Sequence, residues 1–403
     1  MKILLLLTAL FLASCAKPAQ EQPQQTQSWQ SVEKAANGVT VRLMMWQGDP
    51  YINAYMKNYI VPEVKQRYNI TLELLSGQGA QLVSLIASER EAGKTESSID
   101  LVWINGETFY QLRQIKALEK FAGSLPNAKY IDTANPFISQ DFQQPTNGYE
   151  CPWGNVQMAI IYDSLRTPNP PRTREAFKQY VVAHPGRFTF DNFFTGMTFL
   201  KALLIDIAGK TADGKSKLNG AFDQALYDQT SRELWAYLRE LKPYLWKRGR
   251  VYPSGVAEMH QLFASGEIDF TMSNNDGEVD NKVLQGLFPK TARAFVLDGG
   301  TIQNSHYMGI PANSSRKAAA MVVVNFLISP EAQLRKFTPE IWGDGTVLAM
   351  EKLPAEWREK FANVPTRKYS PRREDIQSKA LQELAPEYMI RLFADFRKQM
   401  IEQ

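Results

Sequence analysis

The chain has 403 residues, 44% of them hydrophobic and 22% charged, a soluble globular composition long enough for two domains with cores of their own. Its net charge of +4, from 46 basic and 42 acidic residues spread along the chain, is too small to argue for a nucleic-acid partner. Only two cysteines are present, Cys15 and Cys151, so the fold is expected to hold by packing and not by disulfides.

Met1-Lys2 gives a positive start, residues 3–12 are almost wholly apolar, and Leu12-Ala13-Ser14-Cys15 follows. Residues 1–14 read as a secretory signal, because the apolar run is too short to cross about 30 Å of hydrocarbon at about 1.5 Å per residue. The Leu-Ala-Ser-Cys tetrapeptide resembles a bacterial lipobox. That implies a mature chain beginning at Cys15, lipidated there and working outside the cytoplasm as a membrane-anchored lipoprotein; an ordinary signal peptide with a chance cysteine is the plainer alternative. Residues 15–38 contain Pro18, Pro23 and many glutamines and read as a flexible tether. As a random coil, its Pro- and Gln-rich part, residues 16–30, spans about 20 Å.

Residues 39–45 read as a strand, and residues 51–68 as a helix that Pro62 should kink or split. A strand over 70–75, a helix over 81–91, a strand over 99–104 and a helix over 109–115 follow. Strands alternating with helices predict a parallel sheet covered on both faces, an α/β class. The pattern resumes with a strand at 157–162, a helix at 174–184 stopped by Pro185-Gly186, a short strand at 188–190 and a helix at 197–207. Residues 210–220 read as an exposed loop. Helices at 229–242 and 256–263 and strands at 268–272, 294–297 and 307–310 come next. Residues 316–328 form an apolar helix, and Ser329-Pro330-Glu331 starts another, with Ser as cap, Pro at the first position and Glu in the first turn.

Catalytic signatures are weak. Gly77-Gln78-Gly79 lacks the third glycine of a dinucleotide fingerprint and reads as a turn whose backbone N–H groups face a cleft. His184, His260 and His306 have no metal-ligand spacing, and no nucleophile elbow or P-loop occurs. Asp276 and Glu278 could do acid–base work, but 42 acidic residues yield such pairs by chance. Cys151, between Glu150 and Pro152, reads as a small buried hydrophobe. The reading therefore calls for no enzyme activity, cofactor or metal; a secreted hydrolase or lyase acting on polysaccharide is the alternative.

Several segments, in order, resemble the solute-binding proteins of ABC transporters. Residues Asp100-Leu101-Val102-Trp103-Ile104-Asn105-Gly106-Glu107 look like their buried strand and ligand loop. Pro152-Trp153-Gly154 and Ala159-Ile160-Ile161-Tyr162-Asp163 resemble the first hinge strand, residues 259–269 the helix, turn and strand of the second lobe, Tyr307-Met308-Gly309-Ile310-Pro311-Ala312-Asn313-Ser314 the return hinge, and residues 325–333 a C-terminal helix pair. Trp103-Ile104-Asn105-Gly106-Glu107, Cys151-Pro152-Trp153-Gly154 and Phe194-Thr195-Gly196 are most similar to the YnjB-type branch. The resemblance implies a two-lobed periplasmic-binding-protein-like (type II) fold with two β-strand hinge crossings: lobe one over 39–153, lobe two over 154–305, and a return hinge with C-terminal helices packing mainly on lobe one over 306–403. It implies a monomer that closes on a small-molecule solute and docks on a permease in the inner membrane.

In such a fold the strand-to-helix loops face the cleft. They give Trp46, Gln47, Gly48 and Asp49, then Gly77, Gln78 and Gly79, then Asn105, Gly106 and Glu107 from lobe one. The hinges give Trp153 and Tyr307. Lobe two gives Thr195 and Gly196 at a helix start, and Ser273, Asn274, Asn275, Asp276 and Glu278. Each has a plain alternative: core packing for Trp46, Trp103 and Trp153, a turn for Asn105-Gly106, a helix cap for residues 273–276, a helix start for Thr195-Gly196. The set holds Asp49, Glu107, Asp276 and Glu278 but no Lys or Arg, which predicts a solute with a cationic or stackable part; an array of rings and hydrogen-bonding groups would equally suit a sugar. Iron is disfavoured, since no adjacent tyrosine pair is present.

Overall fold

The computed structural model describes residues 28–210 and 214–402. The expected signal segment, Cys15 and the tether up to residue 27 lie outside the described residues. Among the described residues eleven strands are formed: β1 Thr40–Met45, β2 Thr71–Ser76, β3 Leu101–Ile104, β4 Gln140–Asp141, β5 Gln144–Pro145, β6 Glu150–Gln157, β7 Ala159–Asp163, β8 Phe270–Ser273, β9 Ala292–Phe295, β10 Thr301–Gly309 and β11 Ala380–Leu381.

Lobe one is built on the order β2-β1-β3-β10, with β6 and β11 also pairing β10. β1 runs parallel to β2 and β3, whereas β10 is antiparallel to β3 and β6. The sheet is buried on both faces. Leu43 and Met45 enter one core with Ile52, Tyr55 and Val323, while Met44, Val102 and Ile104 enter a second with Ile86 and Phe109. Lobe two has the sheet β8-β7-β9, antiparallel throughout. Ile160 and Ile161, successive on β7, point into separate cores on its two faces, as a period of two requires.

β6 turns into β7 at residue 158, and the chain returns from β9 into β10. Every residue of β6 and β10 is buried. These are the two hinge strands. A third connection was not legible in the sequence: the chain leaves Phe361 in the lobe-one core, passes over the junction, and ends with helix Pro386–Phe396 in the lobe-two core, through Tyr388, Leu392 and Phe396. Helices Lys317–Leu327 and Pro330–Phe337 do pack on lobe one, but helix Pro386–Phe396 belongs to lobe two.

Other departures have local causes. Pro62 neither splits nor ends its helix: Pro50–Tyr55 continues through a π turn, Met56–Ile60, into Val61–Tyr68, and the Val61 N–H bonds Met56 O. Residues 28–38 are not tether. Ser28 caps helix Trp29–Ala36 by accepting from the Ser31 N–H, and Val32 and Ala36 are in the core. Residues 188–190 form no strand: Phe188 and Phe190 are buried, and Phe188 O takes a single bond from the Trp246 N–H. Ser329 caps helix Pro330–Phe337 through the Ala332 N–H, as expected. No helix among the described residues is long and apolar enough to cross a membrane.

Candidate functional site

The loop after β1 and the loop after β8 meet where the two lobes face each other. Asp49 uses one carboxylate oxygen to cap helix Pro50–Tyr55, accepting from the Tyr51 N–H at 2.8 Å and the Ile52 N–H at 3.1 Å. Its other oxygen reaches across to the Lys282 ammonium of lobe two at 2.5 Å. Lys282 lies one turn along helix Glu278–Leu284 from Glu278, at 3.2 Å. Glu278 in turn faces His260 Nε2 at 3.3 Å and accepts from the Ser273 hydroxyl. Beside this chain the Tyr51 hydroxyl donates to Asn281 O across the lobes at 3.2 Å, and the Asn281 amide donates to Trp342 O. Burial opposes the charge on Glu278, but Lys282 and His260 hold its carboxyl below the usual range; Glu278 and Asp49 likewise hold the buried Lys282 ammonium above its usual value.

Asp276 is fully buried and closes the interface on another side. It accepts the Gln157 N–H at 2.9 Å and is bracketed by Arg367 and Arg373, the latter at 2.6 Å. Arg367 also donates to Gly343 O at 2.9 Å, and Arg373 to Asn155 O at 3.1 Å. Burial raises the Asp276 pKa, yet the two guanidiniums carry it below the ordinary carboxylate value. Four residues after Asp276, in the first turn of helix Glu278–Leu284, Asp280 takes three successive backbone N–H groups, those of Lys368, Tyr369 and Ser370. The third connection is thus strapped to lobe two by Asp276 and Asp280.

At the hinge, Trp153 is fully buried, with Trp103, Trp342 and His306 at 4.9, 5.3 and 5.2 Å between ring centroids. His306 Nε2 lies 3.0 Å from Asp344, which is also paired with the buried Lys336. Gly154 leaves the space they occupy: a Cβ there would sit 1.9 Å from His306 Nε2. Tyr307 is likewise enclosed, its hydroxyl donating to Ile138 O and Gln140 O at 3.1 and 3.0 Å.

The remaining predicted residues fall around this frame. Trp46 and Gly48 lie against each other, and Gln47 O accepts from Asn53 Nδ2 at 2.9 Å. The Gly77 N–H is bonded to Met45 O at 3.2 Å, Gly79 has φ +54°, and Gln78 starts the next helix. Asn105 O takes the Thr108 N–H, and the Gly106 N–H donates to the buried Asp141 at 2.5 Å, so that turn is tied inside lobe one. Glu107 accepts from the Gln111 amide at 2.8 Å, and burial pushes its carboxyl above the usual value. Thr195 accepts from Asn274 Nδ2 at 3.0 Å. The turn before the helix start at Gly196 is served by Asp191, whose carboxylate takes the Phe193 N–H at 3.0 Å. Asn275 accepts the Gly277 N–H at 2.9 Å and its own N–H bonds the Ser273 hydroxyl, the cap-like arrangement weighed for residues 273–276.

Sequence reasoning gathered the carboxylates and missed their cations. Lys282 was detectable, four residues after Glu278 on one helix face. Lys336, Arg367 and Arg373 come from segments 60 or more residues beyond Asp276 in the chain, and no periodic pattern announces them. Among the described residues no group of three or more His, Cys, Asp and Glu is placed to hold a metal ion.

Two lobes on β-sheets, joined at buried hinge strands with a polar interface between them, define a type II periplasmic-binding-protein fold. Solved structures share it. PotD, the spermidine/putrescine ABC transporter substrate-binding protein of Streptococcus pneumoniae, superposes with a TM-score of 0.61 at 16% identity, covering 90% of this chain and 99% of its own. AfuA of Actinobacillus pleuropneumoniae gives 0.62 at 12%, covering 90% and 98%, and the TpPotD lipoprotein of Treponema pallidum gives 0.62 at 14%, covering 90% and 100%.

The chain belongs to the bacterial extracellular solute-binding protein family, whose model matches residues 51–364. It is 39% identical to protein YnjB of Escherichia coli (strain K12) over 336 residues, 82% of this chain and 85% of that one.

Proposed function

We propose that this chain is the solute-capturing component of an ABC importer, holding a small polar solute between its lobes and delivering it unaltered to a permease in the inner membrane. The observation that carries this reading is the cross-lobe contact set at the loop ends, Asp49 to Lys282 and Tyr51 to Asn281, in a fold of the extracellular solute-binding family. Such contacts draw the lobes together, and a solute that binds both lobes shifts the hinge equilibrium by its greater affinity for the closed state. The protein works as a monomer in the periplasm or at the cell surface, anchored by lipid on Cys15.

The function is tested by titrating the full chain with a panel of small solutes while following its radius of gyration. One-to-one binding with contraction supports it; binding without any change in shape counts against it. Labelling cells with a fatty-acid analogue tests the anchor: label should be lost in the Cys15→Ser variant and kept in Cys151→Ser.

A further inference from the structure

Four carboxylates at the inter-lobe junction are matched by cations within the protein. Asp49 and Glu278 share Lys282, Asp276 has Arg367 and Arg373, and Asp344 has Lys336. The position of Lys282 is the informative one. Its ammonium is buried between a carboxylate of lobe one and a carboxylate of lobe two, the place where a cationic group of a solute would bridge the lobes. We propose that Lys282 is a specificity-determining residue: a tethered cation that fills this acidic niche, so that the solute carried by this protein has no cationic group there. The proposal rests on the solute-binding reading and names the class of solute it admits.

Neighbouring atoms say what the solute offers instead. Asn53 Oδ1, Asn274 Oδ1 and Asn281 Oδ1 are buried and have no hydrogen-bond donor. Each belongs to an element of the interface: Asn53 is tied by its amide to Gln47 O, Asn274 to Thr195, and Asn281 to Trp342 O. A buried acceptor without a donor is unfavourable, so these oxygens match a partner that brings donors. An uncharged solute rich in hydroxyl or amide N–H groups meets that requirement, whereas an amine would have to expel Lys282 from two carboxylates.

The test uses the full chain, Lys282→Met, and Lys282→Gln as a second variant should Lys282→Met lose the native circular-dichroism spectrum. Putrescine and methylammonium are the cationic probes, and glycerol, mannitol, glucose and maltose the neutral ones, read by calorimetry and melting temperature. Wild-type protein should give no heat and no thermal shift with either amine. The folded variant, with Asp49 and Glu278 left without their lysine, should bind putrescine at least tenfold more tightly than wild type and be stabilised by methylammonium. Tight putrescine binding by wild type, or a folded variant that gains no amine affinity, overturns the assignment. A variant that gains amine binding while wild type holds none of a broad solute panel upholds the role of Lys282 and counts against the importer reading, so the two fail separately.

Discussion

Asp276 offers the sharpest stability test, because the structure makes it the post to which the third connection is tied. Its carboxylate is fully buried, takes the Gln157 N–H at 2.9 Å, and faces Arg367 and Arg373, whose side chains are 12% and 24% exposed. In Asp276→Ala both guanidiniums lose their counter-charge while staying largely out of water. Removing one member of a buried ion pair costs about 3–5 kcal/mol, mostly for the charge left behind. For a body of roughly 370 residues, an unfolding entropy of about 2.1 cal/mol/K per residue converts that into a fall of about 4–6 °C in melting temperature. Asp276→Asn can keep an acceptor for the Gln157 N–H but not the charge, and should fall between the alanine variant and wild type. The sign with pH is fixed: the folded-state pKa is lowered, so the stability contributed by Asp276 is present above about pH 4 and is lost as pH falls through the lowered value. The gap between Asp276→Asn and wild type should therefore narrow in acid. Differential scanning calorimetry from pH 3 to 8 reads both effects. An alanine variant melting within about 1 °C of wild type at pH 7 would refute the strap, as would a gap that widens in acid.

Three further outcomes follow from the packing. Gly196→Ala would place a Cβ 1.7 Å from Asp191 O, so the helix start must move; a loss of about 1–3 kcal/mol in urea melts is expected, and an unchanged midpoint would contradict the close approach. Trp153→Ala removes a fully buried indole from the hinge, with an expected loss of about 3–5 kcal/mol; a surface-like loss below about 1 kcal/mol would show that the ring is not enclosed. Glu150 has both carboxylate oxygens buried without a partner, and burial raises its pKa well above the ordinary value. Its sign is opposite to that of Asp276: ionising it in the fold is unfavourable, so stability is lost as pH rises through the raised pKa. Glu150→Gln should raise the melting temperature at pH 8 more than at pH 4, and an equal effect at both would count against it.

What was legible in the sequence is what short range dictates. The alternation of strands and helices in residues 39–115 came through because each apolar face has its own period, and the Ser329-Pro330 start because capping is a matter of three or four residues. At Pro62 the helix is carried on through a π turn instead of being broken, which residue type alone does not reveal. Helix Trp29–Ala36 was hidden by a polar composition in which Val32 and Ala36 alone are buried. The strap is illegible for a deeper reason: residues 368–370 have no regular structure of their own and are shaped by one carboxylate, that of Asp280, lying some 90 positions earlier. The carboxylates of the site could be picked from loop positions, but their net charge could not, because Arg367 and Arg373 arrive from that same strap.

The most direct measurement is to release and identify by mass spectrometry whatever small molecule accompanies the protein purified from its own cells, then return it to the stripped protein. The account predicts one equivalent of an unmodified, uncharged molecule that rebinds and draws the lobes together. A molecule recovered chemically altered after incubation, or one whose rebinding leaves the separation of the lobes unchanged, would contradict it.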